Sequence, residues 1–159
     1  MTQELEDRLV EYTEQAIKAR FEFPDVEFGA GPVELHAALV SVQTTLTELE
    51  NLLSKATRAK ALLERRVAKD KMVWQEAWDK AMANSNKRPT LGDYATGKEK
   101  AAEANLEALM PARVLRVSEE LYSFASEAVD VIRLHYYGID KVRQDIRKRL
   151  DMSQTDYYS

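Results

Sequence analysis

Few residues in this chain could carry chemistry, and their spacing narrows them further. His36 and His135 are the only histidines, and there is no cysteine. A zinc site needs three or four closely placed His, Cys or carboxylate ligands, and no H-E-x-x-H or similar spacing occurs. No metal and no cofactor are therefore expected. His135 falls on an apolar face, where a hydrogen-bonded interior histidine is the expected role. Glu48, Glu50, Glu119 and Glu120 flank helical segments among Lys and Arg partners, a solvated arrangement rather than an acid–base pair. There is no phosphate-binding glycine loop, dinucleotide fingerprint or nucleophile elbow. The expectation is a non-enzyme.

Positive charge is what remains. The stretch RAKALLERRVAKDK carries Arg58, Lys60, Arg65, Arg66, Lys69 and Lys71 against only Glu64 and Asp70. A second cluster, DKVRQDIRKRL, holds Lys141, Arg143, Arg147, Lys148 and Arg149. Such runs on a helix are ordinarily a solvated flank. Here Arg58, Arg65 and Lys69 repeat at steps of seven and four, which aligns them along one ridge. The net charge of −4 does not oppose this, because eleven acidic residues against three basic ones lie before residue 51. A local patch sets the field within a Debye length of about 8–10 Å. The first cluster is thus the expected site for a polyanion such as DNA, with the second as a secondary contact. Trp74 and Trp78, four apart, are expected in the core. Tyr136 lies on an apolar stripe, which leaves Tyr137 free for stacking.

The elements that must position these residues are helical. Apolar residues make up 45% of the 159-residue chain and charged residues 31%, with only 5 Gly and 4 Pro. That composition suits amphipathic helices around one core. No apolar run approaches the roughly 18–20 residues that cross a bilayer, and no signal-peptide core is present. With no cysteine to oxidise, a cytoplasmic location is expected.

Residues 1–32 read as an acidic amphipathic helix followed by a clasp. Thr2 is the N-cap, Leu5, Leu9, Tyr12, Ala16 and Ile17 form one face, and Phe21, Phe23 and Phe28 dock among Pro and Gly residues. From Leu35, steps of four and three reach Leu39, Val42, Leu46, Leu49, Leu53, Ala56, Lys60, Leu63, Val67, Asp70, Trp74, Ala77 and Ala81. This is a coiled-coil seam in which only Lys60 and Asp70 are polar, and such residues commonly set register. NSNKRPTLGD, 84–93, has turn composition. The helix then resumes, with a break or kink at Pro111. Beyond it run two apolar stripes. One is Val114, Val117, Leu121, Phe124, Ala128 and Val131. The other is Leu115, Tyr122, Ala125, Val129, Ile132, Tyr136, Ile139 and Ile146.

The expected fold is all-α: a long antiparallel helical hairpin over 33–150 with its tip at 84–93, a short N-terminal helix, and a flexible tail over 151–159. With the tip near residue 88, position 66 should face roughly position 110. Two stripes on the return arm imply burial from two directions. Assembly into a homo-oligomer is therefore expected, with Leu121, Phe124, Val129, Ile132, Tyr136 and Ile139 at the interface.

LYSFASEAVDVIRLHYYGIDKVRQDIRKRL, 121–150, is similar to the C-terminal helix of UvsY-like phage recombination mediators. It shares L-x-x-F, A-x-D-x-I and a later Ile with D-x-R, here Leu121, Phe124, Ala128, Asp130, Ile132, Ile139, Asp145 and Arg147. RAKALLERRVAKDKMVW resembles the basic part of that family's preceding helix, so the likeness covers about 45–150. The acidic N-terminal helix and the Phe-rich clasp have no counterpart in it. The resemblance implies a ring-forming protein that binds single-stranded DNA and helps load a recombinase, with a recombinase or a single-strand-binding protein as partner. It also implies a phage gene expressed in a bacterial host. Two rival expectations stand beside it. One is a coiled-coil scaffold or assembly factor that binds another protein. The other is an inhibitor whose acidic N-terminal half mimics nucleic acid.

Overall fold

The heptad pattern after the Gly–Pro step folds as one uninterrupted helix. The computed structural model describes residues 2–19, 30–85 and 97–156, and these are helical almost throughout. In chain order the helices are α1 (Thr2–Lys18), α2 (Pro32–Ser85), α3 (Gly97–Glu107) and α4 (Leu109–Asp156). The described residues are thus all-α, as expected. The Phe clasp and most of the turn segment lie outside them.

Local chemistry explains where α2 starts. Pro32 occupies its first position, where a missing N–H costs nothing. Glu34 reaches back to accept a hydrogen bond from the Gly31 N–H at 3.2 Å, one half of a capping box. Every seam position from Leu35 to Ala81 is buried or half-buried. A further row, Ala38, Thr45, Leu52 and Ala59, is buried beside the seam.

The chain divides into two compact units: Met1–Ala59 with Ala125–Ser159, and Lys60–Phe124. Residues 33–150, expected as one hairpin domain, are therefore shared between both. In the first unit α2 and α4 run antiparallel. The Tyr136 hydroxyl donates to Glu50 at 3.0 Å and the Arg143 guanidinium donates to Gln43 at 3.5 Å. One core cluster there joins Leu35, Ala38 and Val42 of α2 to Ile146 and Leu150 of α4. The third helix of this unit is α1, which buries Leu9 and Ala16. Its Tyr12 ring lies 5.7 Å from the Lys55 ammonium, and Gln15 and Lys18 share a shallow groove with Glu48, Asn51 and Leu52. Ile17, expected on the buried face, is exposed.

In the second unit the pairing is again antiparallel, but its register differs from the expected one. Lys60 meets Tyr122, Asp70 meets Ser118 and Trp78 meets Asn105. The return arm therefore runs several residues later than a tip at 88 requires. The helix ends are displaced in the same sense: α2 continues to Ser85 and α3 starts only at Gly97, so the position midway between them lies later than 88.

Pro111 acts one turn upstream of itself. Its ring denies a hydrogen bond to the carbonyl four residues earlier, that of Glu107, and α3 ends at Glu107. The ladder resumes on both sides, with Ala108 N–H bonded to Ala104 and Ala112 N–H to Ala108. At the other end, the expected tail at 151–159 is helical as far as Asp156. Hydroxyl bonds from Ser153 to the Leu150 carbonyl and from Thr155 to the Asp151 carbonyl accompany those last turns.

Candidate nucleic-acid interface

Six cations between 58 and 71 were expected to act together, and the structure sorts them into three groups. The outermost group is Arg65 and Lys69, both exposed, in the second unit. Neither makes an ion pair with a described residue. Arg58, exposed in the first unit, likewise has no described partner. The second group is Lys60 and Lys71, which project from another flank of α2, since eleven positions return a helix to nearly the same direction. Lys60 is half-buried with its ammonium 5.7 Å from the Tyr122 ring centroid, within cation–π range. Lys71 is exposed. The third is Arg66, whose Nε lies 3.7 Å from Asp70.

Asp70 explains why Arg66 is held. Its carboxylate accepts a 2.5 Å hydrogen bond from the Ser118 hydroxyl. Ser118 is fully buried and the Asp70 side chain is 16% exposed. A carboxylate at a seam position must be satisfied or it destabilises the fold, and Ser118 and Arg66 together satisfy it. The two polar seam residues of α2 thus each find a dedicated partner on α4: Tyr122 for Lys60 and Ser118 for Asp70. Sliding the helices by one turn would break both contacts, so the pair specifies register.

Ser118 was missing from the sequence reading, although a signal existed. The second stripe steps from Leu115 to Tyr122 without the intermediate seam position, and Ser118 occupies it. The same stripe skips Arg143. That residue ion-pairs with Asp140 and reaches Gln43 across the first unit. Arg143 is therefore committed within the fold. Lys141, Arg147 and Lys148 of the second cluster are exposed, as is Arg149, which has a partner of its own.

The aromatic and interface candidates divide similarly. Trp74 and Trp78 are half-buried, and the Trp78 indole N–H donates to Asn105 at 3.2 Å. Tyr137 is exposed, and its ring meets that of Tyr136 edge-on at 5.9 Å. The hydrogen bond to Glu50, assisted by burial and by the negative charge of Glu50 and Asp140, raises the Tyr136 phenol above its ordinary range. His135 is half-buried, and its imidazole makes no hydrogen bond to a described residue, contrary to expectation. Leu121, Val129 and Ile132, expected at a subunit interface, are buried within the single chain by its own helix packing. Phe124, Tyr136 and Ile139 are half-buried. Among the described residues no group of three or more His, Asp or Glu could hold a metal ion, and no helix is long and apolar enough to cross a membrane.

No family model, curated protein or solved structure matches this chain.

Proposed function

We propose that this protein is a non-enzymatic, single-stranded-DNA-binding accessory of the phage recombination-mediator kind, acting as a homo-oligomer. The observation that carries the reading is the state of its cations. Arg65 and Lys69 are exposed, aligned and without an ionic partner among the described residues, while the neighbouring Arg66 and Lys60 are engaged by Asp70 and Tyr122. Unpaired guanidinium and ammonium groups on a rigid helix suit phosphates, whose counterions are released on binding. A modest site of this size gains by repetition across subunits.

Fluorescence anisotropy of labelled single-stranded DNA tests the reading. With two phosphate contacts per copy, affinity should fall about sevenfold between about 50 and 200 mM salt. Arg65→Glu with Lys69→Glu should abolish most binding and leave helicity unchanged. An undiminished affinity in that variant would overturn the assignment of the site. Arg66 is a poorer choice for such a test, because its removal would also disturb Asp70.

One observation favours a second reading, a scaffold or assembly factor that binds another protein. Leu62 and Met110, on different helices of the second unit, are 64% and 65% exposed, more apolar surface than phosphate binding uses.

A further inference from the structure

The second unit exposes its apolar residues in a regular arrangement. On α2 a row at seven-residue spacing reads Ala38, Thr45, Leu52, Ala59, Arg66 and Val73. Its first four members are buried, and Leu52 lies beside α1. Farther along the row Arg66 is half-buried and Val73 is exposed, with Leu62 exposed nearby. The first stripe of α4 behaves alike. Leu121 and Ala128 are buried, yet Val117, Val114 and, one turn earlier, Met110 are all exposed.

These two rows share a flank. The contact between Lys60 and Tyr122 marks one side of the helix pair. Leu62 and Val73 lie about 200–220° around α2 from Lys60, and Val117 and Met110 about 220–240° around α4 from Tyr122. Both rows therefore line the opposite side, as an open apolar groove. Its rim is basic. Arg66 and Lys69 border it on α2 and Arg113 on α4, and neither Lys69 nor Arg113 has an ionic partner among the described residues. The nearby carboxylate of Glu120 is occupied by Arg116 at 3.0 Å.

The first unit shows what chemistry covers such a row. There α1 supplies an acidic amphipathic helix, with Glu4, Glu6, Asp7, Glu11 and Glu14 against Arg8 and Lys18. It puts Leu9 and Ala16 inside and Tyr12 against Lys55. We propose that the groove of Leu62 and Val73 on α2 with Met110, Val114 and Val117 on α4 docks one acidic amphipathic helix of a partner protein. Its apolar side chains would fill the groove, and its carboxylates would meet Lys69 and Arg113. This is helix-in-groove recognition with electrostatic complementarity at the rim. A second copy of the chain is the poorer occupant, because its own acidic amphipathic helix already buries its apolar face at home. The inference shares Lys69 with the proposed DNA site but does not rest on that reading, since apolar rows give phosphates nothing, and Val117→Glu tests the groove alone.

The test uses the full chain and a labelled helical peptide of about three heptads, with leucine at the seam and glutamate on both flanks. A control peptide carries lysine in place of glutamate. The acidic peptide should bind one per chain, and the lysine peptide should not. Val117→Glu, and separately Lys69→Glu with Arg113→Glu, should each weaken binding by about tenfold or more. These positions are exposed, so helicity by circular dichroism should stay unchanged. Failure of the acidic peptide to bind, equal binding of both peptides, or undiminished binding by the Val117→Glu chain would overturn the proposal. So would a dimer in light scattering that Val117→Glu dissociates, which would assign the groove to a second copy.

Discussion

Asp70 and Ser118 form a buried polar contact between α2 and α4 in the second unit. A short hydrogen bond to a largely buried carboxylate is worth about 1.5–3 kcal/mol, and its loss leaves the charge to Arg66 alone. Ser118→Ala should therefore lower stability by about that amount in urea denaturation. Asp70→Ala combined with Ser118→Ala should cost less than the two single changes together, because residues in contact couple. Tyr136 gives a second prediction at this scale. Its phenol is raised mainly by its hydrogen bond to Glu50, so the folded state holds the proton more tightly than the unfolded one. Its contribution is complete below the unfolded value of about 10 and is lost as pH rises through the folded value. Ultraviolet titration should show a late-ionising tyrosine step, and Tyr136→Phe should remove it.

At the scale of the element, α2 illustrates how one helix serves two environments. Leu49 is fully buried in the first unit, whereas Leu62 stands 64% exposed in the second. Leu49→Ala should cost about 2–5 kcal/mol through lost burial and a residual cavity. Leu62→Ala should change stability by no more than about 0.5 kcal/mol. Equal losses in thermal denaturation would mean that Leu62 is covered in solution, as a docked helix would cover it. Pro111 shows the opposite economy in α4: one ring ends α3 at the carbonyl it cannot serve, and the chain re-forms helix at once. A seam polar residue, a capping glutamate and a proline thus decide where these helices start, stop and align.

Across the whole molecule the two units differ in how they are filled. The first buries Leu9, Leu35, Val42, Leu46, Leu49, Leu52, Val129, Ile132, Ile146 and Leu150. Among the described residues the second buries Leu63 and Leu121 as its large apolar side chains, alongside Ala81, Ala104 and Ala108. Fewer buried carbons mean a lower cost of local opening. Native-state hydrogen exchange should therefore find amides of residues 63–81 and 112–121 exchanging faster than those of 42–56 and 129–146. Uniform protection along α2 would show that the chain opens only as one unit. Binding at the basic or the apolar face of the second unit should slow its exchange by mass action.

The sequence by itself determined the helices and their inner faces. The strict steps from Leu35 to Ala81 can be satisfied only by burying one stripe, and every one of those positions is buried or half-buried. It also placed the cations, since charge and spacing are visible in the chain. Tertiary structure decided which of them remain available. Arg66 is tied to Asp70, Lys60 sits against Tyr122 and Arg143 is paired with Asp140. Of these partners Tyr122 lies across the helix pair, at a register that periodicity does not encode. For the same reason the sequence could not tell the covered half of an apolar stripe from the open half. Val114 and Leu121 carry the same pattern, and only the packing around them leaves one exposed and buries the other.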